Sequence, residues 1–203
     1  MTRWRVLLHS CIAVCLLALP LIAAPPEQKE IMELYRRGLG GDAKAVEECI
    51  GKLEAVLKTQ PANQLARVYL GSALTLRCRD LGFGPKKLQT LKQGVAVMDE
   101  AVAAAPNDAK VLLARALTTS ALPRILGYGA SARADFLLLA EAAERDPNSL
   151  DEGDLQLVFY HGGEAAKKKG EAQKAVRFWN EALRHPADSK IAQKVDAALA
   201  KAK

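Results

Sequence analysis

The sequence predicts an all-α protein, a right-handed α-solenoid of antiparallel helix pairs closed by a C-terminal capping helix. Three observations carry this. Ala, Leu, Lys and Glu dominate and only 5% of residues are aromatic, a mixture that favours helix because Ala and unbranched side chains lose little freedom in one. Strand formers are sparse, and period-2 alternation is scarcely visible. Four prolines, Pro61, Pro106, Pro147 and Pro186, each close an Ala-rich stretch, at spacings of 45, 41 and 39 residues. A near-constant period of that length marks stacked helical repeats.

The first 24 residues read as an export signal. Arg3 and Arg5 supply a basic start, Val6 to Ala24 are almost all apolar, and Ala23-Ala24 precede Pro25-Pro26. Pro25 after Ala24 and Leu21 upstream of Ala23 make both cleavage points imperfect, so residues 6–24 are alternatively an uncleaved inner-membrane anchor. The expectation is an exported, periplasmic chain whose repeat domain spans 25–203. Cys11 and Cys15 fall inside the signal, which leaves Cys49 and Cys78. Those two are either one disulfide of an oxidising compartment or two buried helix thiols packing as small hydrophobes.

From Pro26 onward, helices are expected near 27–38, 42–59, 62–79, 85–105, 108–122, 129–145, 151–168, 171–185 and 188–202. Their stops are Gly40-Gly41, Pro61, Gly82 to Pro85, Pro106, Gly127 to Gly129, Pro147, Gly170 and Pro186. Proline removes a backbone donor, and glycine tolerates the turn. Asn107-Asp108 and Ser149 to Asp151 are N-cap candidates. Residues 188–202 carry one narrow apolar stripe, Ile191, Val195, Ala198 and Leu199, among Lys190, Lys194, Asp196 and Lys201. That pattern suits a cap with a wet outer face, and it has too few large apolar residues for a membrane-surface helix.

Residues 156–186 carry the clearest motif. Phe159, Gly163, Gly170, Ala175, Trp179, Ala182 and Pro186 fall in the order of a tetratricopeptide repeat, which this segment resembles. Leu70-Gly71 with Gly94, Met98 and Ala101, then Leu112 and Ala116 with Leu139 and Ala142, resemble stretched versions, one carrying an insertion around DLGFGPKK. Ala45 and Cys49 mark a first repeat with an overlong second helix. In such repeats small residues (Gly71, Gly163, Ala182) let two helices approach, and bulky ones (Met98, Leu139, Trp179) fill between pairs. The resemblance implies a concave groove lined by first helices. By position that nominates Val68, Ser72 and Thr75, then Lys110, Leu113 and Leu117, then Tyr160, Glu164, Lys167 and Lys168. The last group joins an aromatic to positive charge, which suits an acidic peptide or a carboxylate terminus.

Chemistry has little to stand on. His161 and His185 have no metal-ligand spacing with any Cys or His, and no CxxC, HExxH or GxSxG occurs. GLGGDAK (38–44) and GFGPKK (82–87) lack the full spacing of a phosphate loop and read as turns. Asp151, Glu152 and Asp154 open a helix, where they complement its dipole. The net charge of +6 falls to +4 without Arg3 and Arg5, a mild balance that argues against a nucleic-acid partner. The expected function is therefore a scaffold without catalysis or cofactor, holding a protein or peptide segment in the bacterial cell envelope. It meets a membrane only through a retained N-terminal segment, and a homo-oligomer is an open alternative. Another is a small-molecule-binding accessory protein for a transporter. The segment 119–136, with Pro123 and Tyr128, breaks the pattern, and an enclosed apolar pocket at 123–128 would favour that alternative.

Overall fold

The computed structural model describes residues 26–202. The signal or anchor expected at 1–24 lies outside the described residues, as do His9, Cys11 and Cys15. The described chain forms α1 (Pro26–Leu39), α2 (Ala43–Thr59), α3 (Gln64–Asp80), α4 (Pro85–Ala104), α5 (Ala109–Ala121), α6 (Gly129–Arg145), α7 (Glu152–Lys169), α8 (Ala172–Arg184) and α9 (Ser189–Ala200). Short 3-10 turns at Arg124–Leu126 and Pro147–Ser149 complete it. Every expected helix is present, with ends displaced by only a few residues. No strand occurs among the described residues, and none of their helices is long and apolar enough to cross a membrane.

The breaks are closed by local chemistry. Asp108 accepts from the Lys110 and Val111 amides, and Asp151 accepts from Asp154 N at 2.9 Å. Asp42, Asn63 and Asp188 cap α2, α3 and α9 in the same way, satisfying amides that have no partner inside the helix. Gly170 ends α7 at φ 87°, a left-handed position that suits glycine.

Each helix packs on the next, and the first helices of successive pairs also touch: α1 on α3, α3 on α5, and α7 on α9. Tyr35 OH meets Ser72 Oγ at 2.6 Å, and Ser72 Oγ meets Thr118 Oγ1 at 2.7 Å, which ties α1, α3 and α5 side by side. The α5–α7 step lacks comparable packing. There α6 carries the stack, with Phe136, Leu139 and Ala140 buried. Arg115 of α5 forks onto buried Asp135 of α6 at 2.9 and 2.7 Å. Burial pushes the Asp135 carboxyl up, and the guanidinium pulls it back.

Tight contacts are made by glycine. A Cβ on Gly71 would sit 2.5 Å from the Gly94 carbonyl oxygen and 2.6 Å from Met98 Cγ, so α3 and α4 meet backbone to backbone. A Cβ on Gly163 would enter the Trp179 ring at 2.3 Å. Trp179 is buried, and its indole N–H has no partner among the described residues. Val195 and Ala198 of α9 are buried, with Ile191 and Leu199 against the same cluster. The C-terminal helix thus caps the stack and spends its apolar stripe there. Cys49 and Cys78 are separate buried thiols, Cys49 facing the Ile31 carbonyl and Cys78 the Lys87 carbonyl. Burial pushes the Cys49 thiol up to about 11, so it stays protonated.

Overpacking tests these contacts. Gly71→Ala and Ala182→Leu are each expected to lower the unfolding free energy by about 1–3 kcal/mol. Gly51→Ala, on an exposed helix position with nothing within 4 Å of the new methyl, is expected to raise it by about 0.5–1 kcal/mol. Urea titrations of the three variants check both signs.

Candidate ligand groove

The ten nominated groove residues divide sharply. Val68, Ser72, Thr75 and Leu113 are buried, so the nomination of Val68 and Leu113 as ligand contacts is corrected. Val68 has no exposed surface because α3 is enclosed by α1, α2, α4 and α5. Leu113 is enclosed within the same core cluster. Ser72 and Thr75 keep a narrow outlook, lining with Leu117 a trough of about 290 Å³ between α1, α3 and α5. Its floor carries hydroxyls from Tyr35, Ser72 and Thr118, and its walls carry Leu39, Leu76 and Leu122. Burial raises the Tyr35 phenol, which therefore stays a neutral hydrogen-bonding group. Lys110 is exposed.

The α7 nominees are better placed. Glu164, Lys167 and Lys168 are exposed and Tyr160 is half-buried. Lys194 of α9 lies 5.9 Å from the Tyr160 ring centre, and Lys167 lies 5.7 Å from that of Trp179. Glu164 and Lys168 open onto a larger cleft of about 570 Å³, bounded by the α5–α6 connection and the start of α6. It occupies the step where α5 and α7 lack close packing. Phe136 and His161, stacked 4.5 Å apart, line it, and Arg124, Arg133 and Lys168 surround it. None of these three cations has a carboxylate partner within 4 Å among the described residues. Among the described residues, Glu164 is the one carboxylate in the lining. Leu122 lines both the cleft and the trough, so the two are neighbours. Sequence reasoning missed Arg124, Arg133, Phe136 and His161. The irregular segment 119–136 was the available signal, and it folds against the opening.

His161 is held neutral. Burial, with Lys194 acting in the same direction, pushes it down to about 4. The His185 backbone N–H donates to the Ala182 carbonyl, while its ring turns to other partners. Its Nδ1 meets Glu152 Oε2 at 2.7 Å, and its ring stacks on Phe159. Among the described residues no group of three or more His, Cys, Asp or Glu is placed to hold a metal.

Stacked antiparallel helix pairs, glycine-spaced and capped by a final helix, define a TPR-like helical solenoid. A solved structure agrees: the crystal structure of a thermophilic TPR protein from Thermus thermophilus superposes with a TM-score of 0.53 at 18% identity, covering 85% of this chain and 98% of that one. No family profile matches the sequence, and no curated protein matches it significantly.

The His161 environment has a pH signature. Its folded-state value near 4 lies below the ordinary 6.5, so between those values the unfolded chain binds the extra proton. Stability from this group is complete above about pH 6.5 and falls as pH drops toward 4, by up to about 3 kcal/mol. His161→Phe keeps the ring on Phe136 and is expected to flatten that part of the stability–pH curve, measured by urea unfolding.

Proposed function

We propose that this protein is a non-catalytic interaction scaffold of the bacterial cell envelope. It captures a short acidic segment of a partner protein. The observation that carries this reading is the convergence of Arg124, Arg133 and Lys168, without carboxylate partners among the described residues, on a cleft next to an apolar trough that bears hydroxyls. A peptide carboxylate meets the three cations, and an apolar side chain a few residues away enters between Leu39, Leu76 and Leu117. Guanidinium groups pair carboxylates with planar, two-bond geometry. Phe136 and His161 give the acidic portion an aromatic wall. The TPR-like fold supports binding of an extended segment along first helices, and the charged, apolar, small-residue order of residues 1–24 supports an envelope location.

The rival reading, a small-molecule accessory protein, is favoured by the position of the cleft at the 123–128 connection. Its open, cation-lined form suits a chain segment better than an enclosed apolar ligand.

A fluorescein-labelled acidic peptide with one apolar anchor provides the test. Arg124→Glu with Lys168→Glu is expected to weaken its binding at least tenfold in fluorescence anisotropy, with an unchanged circular dichroism spectrum. Unchanged affinity removes the cleft from the function. Native mass spectrometry that finds a retained small molecule instead supports the rival.

A further inference from the structure

We infer that the edge of the solenoid bearing the α3–α4 and α5–α6 connections docks on an anionic phospholipid membrane surface, with Phe83 and Ile125 entering the headgroup layer. This surface shares Arg124, Arg133 and Lys168 with the rim of the peptide cleft, but Phe83 and Lys86 lie outside the cleft lining, so they report the surface independently of the groove. In a stack of antiparallel pairs every within-pair connection lies on one edge, and every between-pair connection lies on the other. The Tyr35–Ser72–Thr118 bonds hold α1, α3 and α5 side by side, so their C-terminal ends emerge on the same edge, with α3 running about one turn farther than its neighbours.

The fold sorts charge between these edges. Segments 36–44, 77–87, 121–133 and 164–174 of the within-pair edge carry thirteen Lys and Arg against four Asp and Glu. Segments 58–67, 99–110, 141–154 and 181–190 of the opposite edge carry six against eleven. The basic edge also holds the most exposed large apolar side chains among the described residues. Phe83 is fully exposed at the tip of the α3–α4 connection, Ile125 is nearly so at the tip of the next, and Leu88 is half exposed nearby in sequence.

Beneath Phe83 the charge is placed against local helix preference. The first turn of α4 carries Lys86 and Lys87 with no acidic residue, and its N-cap Gly84 supplies no side-chain cap. Lysine at the positive end of a helix is locally unfavourable. Lys87 turns back to the Arg79 and Leu81 carbonyls, while Lys86 has no acidic partner among the described residues. Apolar tips ringed by lysine and arginine match the two layers of an anionic bilayer surface: phosphates outside, acyl chain beginnings within. Lysine stems lie along the apolar boundary while their ammonium groups stay with the phosphates.

The test uses the full chain with Trp4→Phe, which leaves buried Trp179 as the remaining native indole. Phe83→Trp then puts a reporter at the tip. The reporter is read on brominated phosphatidylcholine vesicles, with and without phosphatidylglycerol. Any affinity carried by residues 1–24 is common to every variant, and subtracting the Trp179 signal of the parent chain with Phe83 leaves the response of position 83. The expected result is a blue shift and quenching on the phosphatidylglycerol vesicles only, reversed in about 1 M salt, where the Debye length is ~3 Å. Adding Lys86→Glu is expected to weaken this response about five- to tenfold. An unquenched reporter on anionic vesicles overturns the inference. So does equal quenching on both lipid mixtures, or a response indifferent to Lys86→Glu.

Discussion

The rest of the stack depends on how closely two helix backbones approach inside a pair. At Gly71 and Gly94 the α3 and α4 backbones meet with no side chain between them, and at Gly163 the α7 backbone lies against the Trp179 ring. Close approach brings Met98 and Trp179, both buried, into the seam. Leu, Val, Ile and Ala fill most of the interior, and the few larger side chains that enter the seam, Met98 and Trp179, fit where glycine leaves room. The Trp179 indole N–H has no partner among the described residues, and its ring fills the seam against Gly163.

The architecture was legible because its punctuation is chemical. Proline and glycine fix where helices stop, and Asp or Asn just afterward fixes where the next begins, largely independent of tertiary context. The groove was less legible, because exposure along a first helix depends on how many neighbours surround it. α7 matches the repeat register closely, and Glu164, Lys167 and Lys168 are on the surface as that register implies. α3 sits inside the stretched repeats, enclosed by four helices, so the same register lands Val68 in the interior. Arg124 and Arg133 are separated from His161 by about thirty residues and have no motif of their own. Only the folding back of the 122–129 connection brings them together.

Charge shows the same gap between chain and fold. A modest net charge reads as an ordinary solvated surface, yet alternate connections fall on alternate edges, so their residues are separated into two populations. The period that makes a solenoid also makes this sorting invisible to composition. It becomes visible only when alternate breaks are compared.

The unequal row of first helices carries a mechanical consequence. Where α1, α3 and α5 are pinned by hydroxyl bonds, the stack resists flexure; between α5 and α7 a single layer, built on α6, bears the load. A solenoid of this kind behaves as a spring with one compliant coil, and its pitch is set mainly at that coil. The Arg115–Asp135 fork fastens α5 to α6, the layer that bears that load.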